Sequence, residues 1–304
     1  MNKIQLAESA ASSELVNFQK IARNIRPHPG EIPILEGIDI YGEVIPLSGE
    51  VGGDHVIYID FNKRFDMDAR IQEALLANNA DVAQRLEDTR HKAGILLADA
   101  SGHSITDALL TAMLHQAFLL GAGYELTING EISIDLFEAL NTRFYQSSGI
   151  DKFITMIYGE IHQNGEFRFL SAAHPLPVVF SVEYDRLANI NQDRMVIFPP
   201  IGTLPSATQV DSGKLKSTYG HKPQYSVNTI NIMGAGDIML LFTDGFQEQK
   251  QGEFNFVSAC LEECLREVKN SSSREIIAHL KKEFFKRVPQ PDDDVTVIAV
   301  KKAW

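Results

Sequence analysis

Several features that define other classes of protein are scarce or absent in this sequence. It has two cysteines, too few for a disulfide framework, and no apolar run approaches the roughly 20 residues that cross a membrane. Lys and Arg number 28 against 40 Asp and Glu, so the basic surface that neutralises nucleic-acid phosphates is lacking. The N-terminal segment MNKIQLAESAASSELVNF lacks the apolar region of a signal peptide. We therefore expect a cytoplasmic protein that binds neither nucleic acid nor membrane.

Apolar residues, by contrast, are plentiful enough for a sizeable core. They make up 44% of the 304 residues, and the formal charge of −12 is modest for that length, which excludes wholesale disorder. Cys260 and Cys264 lie one helical turn apart in a partly apolar stretch with no His or Cys partner nearby, so we interpret them as core residues. No internal repeat and no shift in composition marks a domain boundary.

Apolar periodicity predicts where the strands lie. Alternation over residues 38–45 predicts a strand, and residues 56–61 are expected to be its hairpin partner. The continuous apolar run over 93–100 predicts a strand buried on both faces. Further strands are expected at 153–161, 166–173, 177–182, 229–232, 237–243 and 295–302.

Helical spacing occurs in separate stretches of the chain. Helices are expected near residues 12–25, 66–89, 105–120, 134–144, 256–268 and 273–288. In the helix over 105–120, the buried face is predicted to carry Leu109, Met113, Ala117 and Leu120. Because strands come in runs and helices come in runs, we expect a layered α+β domain rather than βαβ repeats.

Four aspartates stand at the edges of apolar strands, most of them beside glycine or other small residues: Asp54, Asp99, Asp244 and Asp293. A carboxylate there is costly to bury unless it is paired or bound to a cation. Any one of these motifs alone is more often a turn than a metal ligand, but four together favour a metal site. Carboxylate oxygens select Mg²⁺, Mn²⁺ or Ca²⁺ over zinc, and pairs of such ions activate water for phosphoryl hydrolysis.

Six motifs in a fixed order carry a resemblance to a known family. They are EVGGD at 50–54, ADASGHS at 98–104, FITMIYG at 153–159, SAAHPLP at 171–177, GDIMLLFTDGFQE at 236–248 and DDVT at 293–296. Together they resemble the bacterial metal-dependent Ser/Thr protein phosphatases of the SpoIIE/RsbU type, within the PPM superfamily. The resemblance covers about residues 18–302 and implies a four-layer αββα sandwich of two antiparallel sheets flanked by helices.

The resemblance also implies roles for individual residues around two divalent ions, Mn²⁺ or Mg²⁺. Asp99 matches the ligand that bridges both ions, and the carbonyl of Ala100 matches the backbone ligand beside it. Asp244 and Asp293 match the remaining carboxylates of the first metal site, and Asp54 matches the acidic residue that orients metal-bound water. The four aspartates are therefore assigned as catalytic and metal-binding. Further candidates for this site are Asp294, Gly53 and His103.

The implied activity is the hydrolysis of phosphoserine or phosphothreonine on a protein by direct attack of a metal-activated water. The resemblance points to a phosphorylated anti-sigma-factor antagonist with a STAS domain, in a partner-switching pathway, as the substrate. Two alternatives stay open. One is a non-catalytic binding or sensor module of the same fold, and the other is a phosphohydrolase for a small molecule.

The remaining predictions concern the organisation of the chain. Residues 1–35 are expected to form an amphipathic helix and a Pro-containing linker. The helix either binds an upstream regulator or a second copy of the chain, or packs on its own domain. Residues 36–304 form the phosphatase domain, with a helical insertion at about 62–92. Arg70 and Arg85 of the insertion either cover the active site or belong to a solvated surface helix. His103 and His174, which lie within motifs, are both interpreted as structural in preference to positioning phosphate or water.

Overall fold

The computed structural model describes residues 13, 16–17, 20–21, 24–26, 31–47, 52–102, 105–147, 152–208, 210–231, 233–249 and 254–303. The predicted N-terminal helix and its proposed role therefore lie largely outside the described residues. Within them, two β-sheets carry the fold. The strands are β1 (Ile38–Ile45), β2 (Asp54–Asp60), β3 (Lys92–Ala100), β4 (Ile154–His162), β5 (Phe167–Ala172), β6 (Val178–Ser181), β7 (Arg186–Leu187), β8 (Ile197–Phe198), β9 (Asn228–Ile230), β10 (Ile238–Phe242), β11 (Glu248–Gln249), β12 (Phe254–Asn255) and β13 (Val295–Lys302).

The two sheets are stacked and almost entirely antiparallel. The first has the strand order β1-β13-β10-β6-β7, and the second has the order β2-β3-β4-β5-β8, with β9 also paired to β5. The pairing of β5 with the two-residue strand β8 is parallel. Strands β11 and β12 form a separate two-stranded ladder.

The helices lie between the strands in sequence. They are α1 (Phe61–Arg64), α2 (Met67–Leu76), α3 (Ala80–Thr89), α4 (Ile105–Ile128), α5 (Ile134–Ser147), α6 (Asp244–Gln247), α7 (Glu262–Val268) and α8 (Ser273–Arg287), with a π-helical turn over Val257–Leu261. Helix α8 begins at a capping box, in which Ser272 accepts from the Glu275 N–H and the Glu275 carboxylate accepts from the Ser272 N–H. No helix in the described part of the chain is long and apolar enough to cross a membrane.

Three apolar clusters order these elements into four layers. One lies between the sheets and includes Val56, Leu97, Leu241 and Ile298. A second joins the outer face of the second sheet to α4 and α5. The third joins the outer face of the first sheet to α7 and α8, and it contains the buried residues Cys260 and Cys264. The αββα sandwich and the core position of both cysteines are thereby confirmed.

The predicted hairpin of β1 with β2 is wrong. Strand β1 pairs with β13, and β2 pairs with β3, so these two strands belong to different sheets. Alternating hydrophobicity identifies each strand correctly but carries no information on which strand it pairs with.

The predicted buried face of α4 is also wrong. Leu109, Met113 and Leu120 are exposed, at 51%, 43% and 79% of their accessible surface, whereas Leu114 and Phe118 are completely buried. Helix α4 is apolar on nearly every side, so its periodicity cannot indicate which face packs on the sheet.

The insertion at 62–92 contains α1, α2 and α3. The predicted continuous helix is broken at Asn78, whose φ is +57°, and Asn79 caps α3. Arg70 donates to the Gly123 carbonyl at 3.3 Å, and Arg85 donates to the Asn129 carbonyl at 3.1 Å. Because both arginines bind the C-terminal part of α4, the structure favours the surface-helix alternative over a cover for the active site.

Candidate active site

A polar row crosses the second sheet at one end, on the face that meets the first sheet. Asp54 of β2 lies directly opposite Asp99 of β3, and Asp99 lies directly opposite Thr155 of β4. Other residues on the same face of these strands, such as Leu97, belong to the apolar cluster between the sheets. At this end of the strands, polar residues, two of them aspartates, therefore take the place of the apolar core.

Asp54 joins the two sheets. Its Oδ2 accepts a hydrogen bond from Thr243 Oγ1 at 2.8 Å and another from Thr296 Oγ1 at 2.6 Å, both at the same end of the first sheet. Burial raises the pKa of Asp54 well above its usual value, the two hydroxyl donors lower it, and the charges of Asp294 and Asp244 raise it further. The hydroxyl donors therefore do not offset the cost of burying this charge.

Asp99 of β3 and Asp244, which begins α6 directly after β10 of the other sheet, meet here. Burial, and then the charges of neighbouring aspartates with Asp54 first among them, raise the pKa of Asp99 to about 10. Loss of hydration also raises the pKa of Asp244, which is the most open of the four predicted carboxylates, while a hydrogen bond with the Asp99 carboxyl lowers it. Two carboxyl groups in hydrogen-bond contact need either a shared proton or a cation between them.

Backbone oxygens complete this polar end of the sandwich. A Cβ placed on Gly53 would overlap the carbonyl oxygen of Gly102, and it would lie 2.8 Å from the Ala100 carbonyl oxygen and 3.5 Å from Asp99 Oδ1. Only glycine at position 53 leaves this oxygen-lined space open. An all-oxygen donor set fits Mg²⁺ or Mn²⁺ rather than a thiolate-bound metal. Among the described residues no three His, Cys, Asp or Glu side chains form a ready ligand group, so backbone oxygens and water would have to complete the coordination.

Asp293 and Asp294 lie at the start of β13 and hold the neighbouring loop. Asp294 accepts from the Leu47 N–H at 2.5 Å through Oδ1 and from the Gly53 N–H at 2.6 Å through Oδ2. Asp293 is half-buried, its charge raises the pKa of Asp99, and its Oδ1 accepts from the Asp294 N–H at 2.8 Å. Because both oxygens of Asp294 are occupied by backbone donors, its contacts favour a positioning role over a ligand role.

Three polar residues at this site were missed by the sequence analysis: Thr243, Thr296 and Gln249. The buried Gln249 donates to the Gly245 carbonyl at 2.5 Å and accepts from the Asp292 N–H at 2.9 Å, so it ties α6 to the loop that precedes β13. Thr243 directly precedes Asp244, and this proximity in sequence was the available signal. For Gln249 the sequence offered no signal, because its partner at position 292 is 43 residues away.

Of the two histidines in the motifs, the structure describes one. His103 lies outside the described residues. His174 is buried, its Nδ1 lies 3.0 Å from Thr155 Oγ1, and its carbonyl accepts from Ser171 Oγ at 3.0 Å. Burial lowers the pKa of His174 to about 3, so the ring is neutral. These local hydrogen bonds agree with the structural interpretation of His174.

Two grooves were compared with the position of the carboxylates. One of about 440 Å³ opens beside Asp244 and extends to Thr155 and His174. A larger groove of about 770 Å³ runs along β1, but none of the aspartates at 54, 99, 244, 293 and 294 lines it. Of these two grooves, the smaller one therefore reaches the site, through Asp244.

Comparison of the sequence with protein families gives a match to the family described as Stage II sporulation protein E (SpoIIE), over residues 89–303. The chain belongs to the SpoIIE family. The match contains Asp99, Asp244 and Asp293, whereas Asp54 precedes it. A search of curated protein sequences finds no match.

Solved structures share the fold of this SpoIIE-family chain. The SiaA-PP2C domain of Pseudomonas aeruginosa is 16% identical with a TM-score of 0.63, over 98% of each chain. The RsbU and RsbW domains of a Mycobacterium tuberculosis protein are 19% identical with a TM-score of 0.59, over 90% of this chain and 62% of that one. RsbX in complex with magnesium is 12% identical with a TM-score of 0.52, over 89% of this chain and 98% of that one. The fold is therefore that of PP2C-type phosphatase domains.

Proposed function

We propose that this SpoIIE-family protein is a metal-dependent phosphatase of phosphoserine or phosphothreonine in proteins. The observation that carries the proposal is the meeting of Asp54, Asp99 and Asp244 between the two sheets, beside the oxygen-lined space at Gly53. So many carboxylates at one point repel one another unless cations neutralise them. The family match and the magnesium complex of RsbX, which has the same fold, support metal-dependent hydrolysis.

The proposed ligands are Asp99, the Ala100 carbonyl, Asp244 and Asp293, around two ions. Divalent cations bound there would supply positive charge for the phosphoryl oxygens and lower the pKa of an attacking water. Asp54 would accept a proton or hydrogen bond from that water, since its carboxylate is held in place by two threonine hydroxyls. None of these roles requires a covalent nucleophile.

We propose a phosphorylated regulatory protein as the substrate, namely an anti-sigma-factor antagonist with a STAS domain in a partner-switching pathway. The motif resemblance to RsbU-type phosphatases supports this choice. The structural similarity to a chain that contains both RsbU and RsbW domains supports it too, although the present chain spans only 62% of that one.

The test is phosphate release from phosphorylated STAS-domain proteins with Mn²⁺ or Mg²⁺ present. We expect release that EDTA stops reversibly, and we expect Asp99→Asn and Asp244→Asn each to lower kcat by at least about 10³-fold. The matched control is Asp81→Asn, on the exposed face of α3, which should keep the wild-type rate. Near-wild-type turnover by either site variant would refute the mechanism.

The small-molecule alternative is separated by substrate choice. A protein phosphatase is expected to show a kcat/KM for a phosphoprotein well above that for nucleotides and sugar phosphates, because the open groove beside Asp244 leaves room for a polypeptide. The reverse order would assign the same site to a small-molecule phosphohydrolase.

A further inference from the structure

The groove beside Asp244 is lined by both apolar and acidic side chains. Its lining includes the apolar side chains of Leu176, Ile197 and Val257, and the acidic side chains of Asp244 and Glu248. Among the described residues, those that line it include neither Lys nor Arg. This described lining offers a phosphate group no cation, and its carboxylates attract positive charge.

Glu248 is the acidic group that remains available in the groove. Asp244 belongs to the proposed metal site, where bound cations would neutralise its charge. Glu248 is exposed, and its backbone is fixed by the pairing of β11 with Asn255 of β12. Its side chain and that of Asp244 line the same groove. A basic side chain of a bound polypeptide would find an opposite charge there.

The apolar side chains of the groove are partly exposed to solvent. Ile197 keeps 50% of its surface exposed, although its backbone is fixed at the sheet edge by parallel pairing of β8 with β5. Leu176 and Val257 are only partly buried beside it. An apolar side chain from a bound partner would cover these surfaces and gain the usual free energy of burial.

We propose that this groove binds the polypeptide segment next to the phosphorylated residue, with an apolar side chain against Leu176 and Ile197 and a Lys or Arg side chain against Glu248. The proposal rests on the proposed phosphatase function, because that function places the phosphorylated residue at Asp244. The occupant is a segment of the substrate protein, since the groove is continuous with the carboxylate site through Asp244. The groove thereby makes the enzyme selective for phosphorylation sites flanked by apolar and basic residues.

The first test measures binding without turnover. Fluorescein-labelled unphosphorylated peptides, with Leu and Arg placed at each position within four residues of a central serine, are titrated with the full-length protein and followed by anisotropy. We expect the best Leu/Arg peptide to bind about 5-fold more tightly than its Leu/Glu counterpart, the size typical of an exposed charge pair. Glu248→Lys should reverse this order, and Ile197→Asn should remove the preference for Leu over Asn.

The matched control is Glu73→Lys, which makes the same charge change on the exposed face of α2. This variant should leave the ratio of the Kd values of the Leu/Glu and Leu/Arg peptides at the wild-type value, since the groove is unchanged. An equal effect of Glu73→Lys would attribute the preference to overall charge and overturn the proposal. Equal binding of all peptides by wild type would overturn it as well.

The second test uses the corresponding phosphopeptides and kcat/KM with Mn²⁺ present. We expect the same order of preference as in binding, with the ratio again reversed by Glu248→Lys. Turnover of every phosphopeptide without any flanking preference would overturn the groove assignment and leave the phosphatase function standing. Selective binding together with no turnover of any phosphate ester would refute the phosphatase function and leave peptide binding by the groove standing.

Discussion

Asp99→Asn is expected to stabilise the metal-free protein while it abolishes activity. Asp99 is half-buried beside Asp54 and Asp244, and these surroundings raise its pKa to about 10 from an ordinary value of 3.8. Asparagine has nearly the same shape and carries no charge. The substitution therefore removes the cost of protonating a carboxyl group at this position and keeps the packing.

The magnitude follows from the linkage between protonation and folding. Between pH 4 and pH 10 the folded chain holds a proton on Asp99 that the unfolded chain has lost, so the free energy of unfolding falls as the pH rises. Each pH unit above 3.8 costs about 1.4 kcal/mol, which gives about 4 kcal/mol at pH 7 as an upper bound. Below pH 4 both states hold the proton, and the cost disappears.

The assay is urea denaturation of wild type and Asp99→Asn in EDTA at pH 5, 7 and 9. The gain in the free energy of unfolding for the variant should be smallest at pH 5 and should grow by about 2–3 kcal/mol at pH 7, within the upper bound. With saturating Mn²⁺ the order should reverse, because only the wild type gains stability from metal binding.

Two results would refute this reasoning. If Asp99→Asn destabilised the metal-free protein at pH 9, packing rather than charge would dominate at this position. If the difference between the two proteins did not change with pH, Asp99 would not be the group whose proton differs between the folded and unfolded states.

Two further predictions follow from individual contacts. Gly53→Ala should abolish both metal binding, measured by calorimetry, and phosphatase activity, because its Cβ would overlap the Gly102 carbonyl oxygen. Gly213→Ala should preserve both, since no described atom lies within 4 Å of its added Cβ. Glu138→Gln should lower the free energy of unfolding by about 3–5 kcal/mol in urea denaturation, because it leaves the ammonium of Lys222 buried without its carboxylate 3.1 Å away. A loss below about 1 kcal/mol, comparable with that of the exposed Glu73→Gln, would contradict the second expectation.

The fold and the carboxylates could be predicted because their signals are local. Each of the four aspartates stands at one end of an apolar run, Asp54 and Asp293 before it and Asp99 and Asp244 after it, and the order of the six motifs needs no knowledge of contacts. The longer strands were found for the same reason, whereas the two-residue strands β7, β8, β11 and β12 were not predicted. The structure then places Asp54 opposite Asp99 in register, which the motifs alone could not establish.

The features that could not be predicted from the sequence depend on contacts between residues far apart in the chain. Asp54 accepts from hydroxyls that lie 189 and 242 positions later in the chain, and no periodicity reports such partners. The pairing of β1 with β13 joins the two ends of the domain, whereas the hairpin prediction assumed neighbours in sequence. For α4, polar and apolar residues are spread around the helix, which removed the signal that distinguishes its two faces.

The site also explains why stability and function are opposed in this fold. The second sheet alone brings Asp54 and Asp99 together, and stacking of the first sheet adds Asp244, which begins α6 directly after β10. The full repulsion among the three carboxylates therefore appears only when the sheets stack. The threonine hydroxyls at Asp54 reduce this cost locally but leave its pKa well above the usual value. Proton or cation binding must offset the rest. Because only the folded chain assembles these groups, any cation that binds them stabilises the native state, and the affinity for the metal and the free energy of folding are properties of the same few residues.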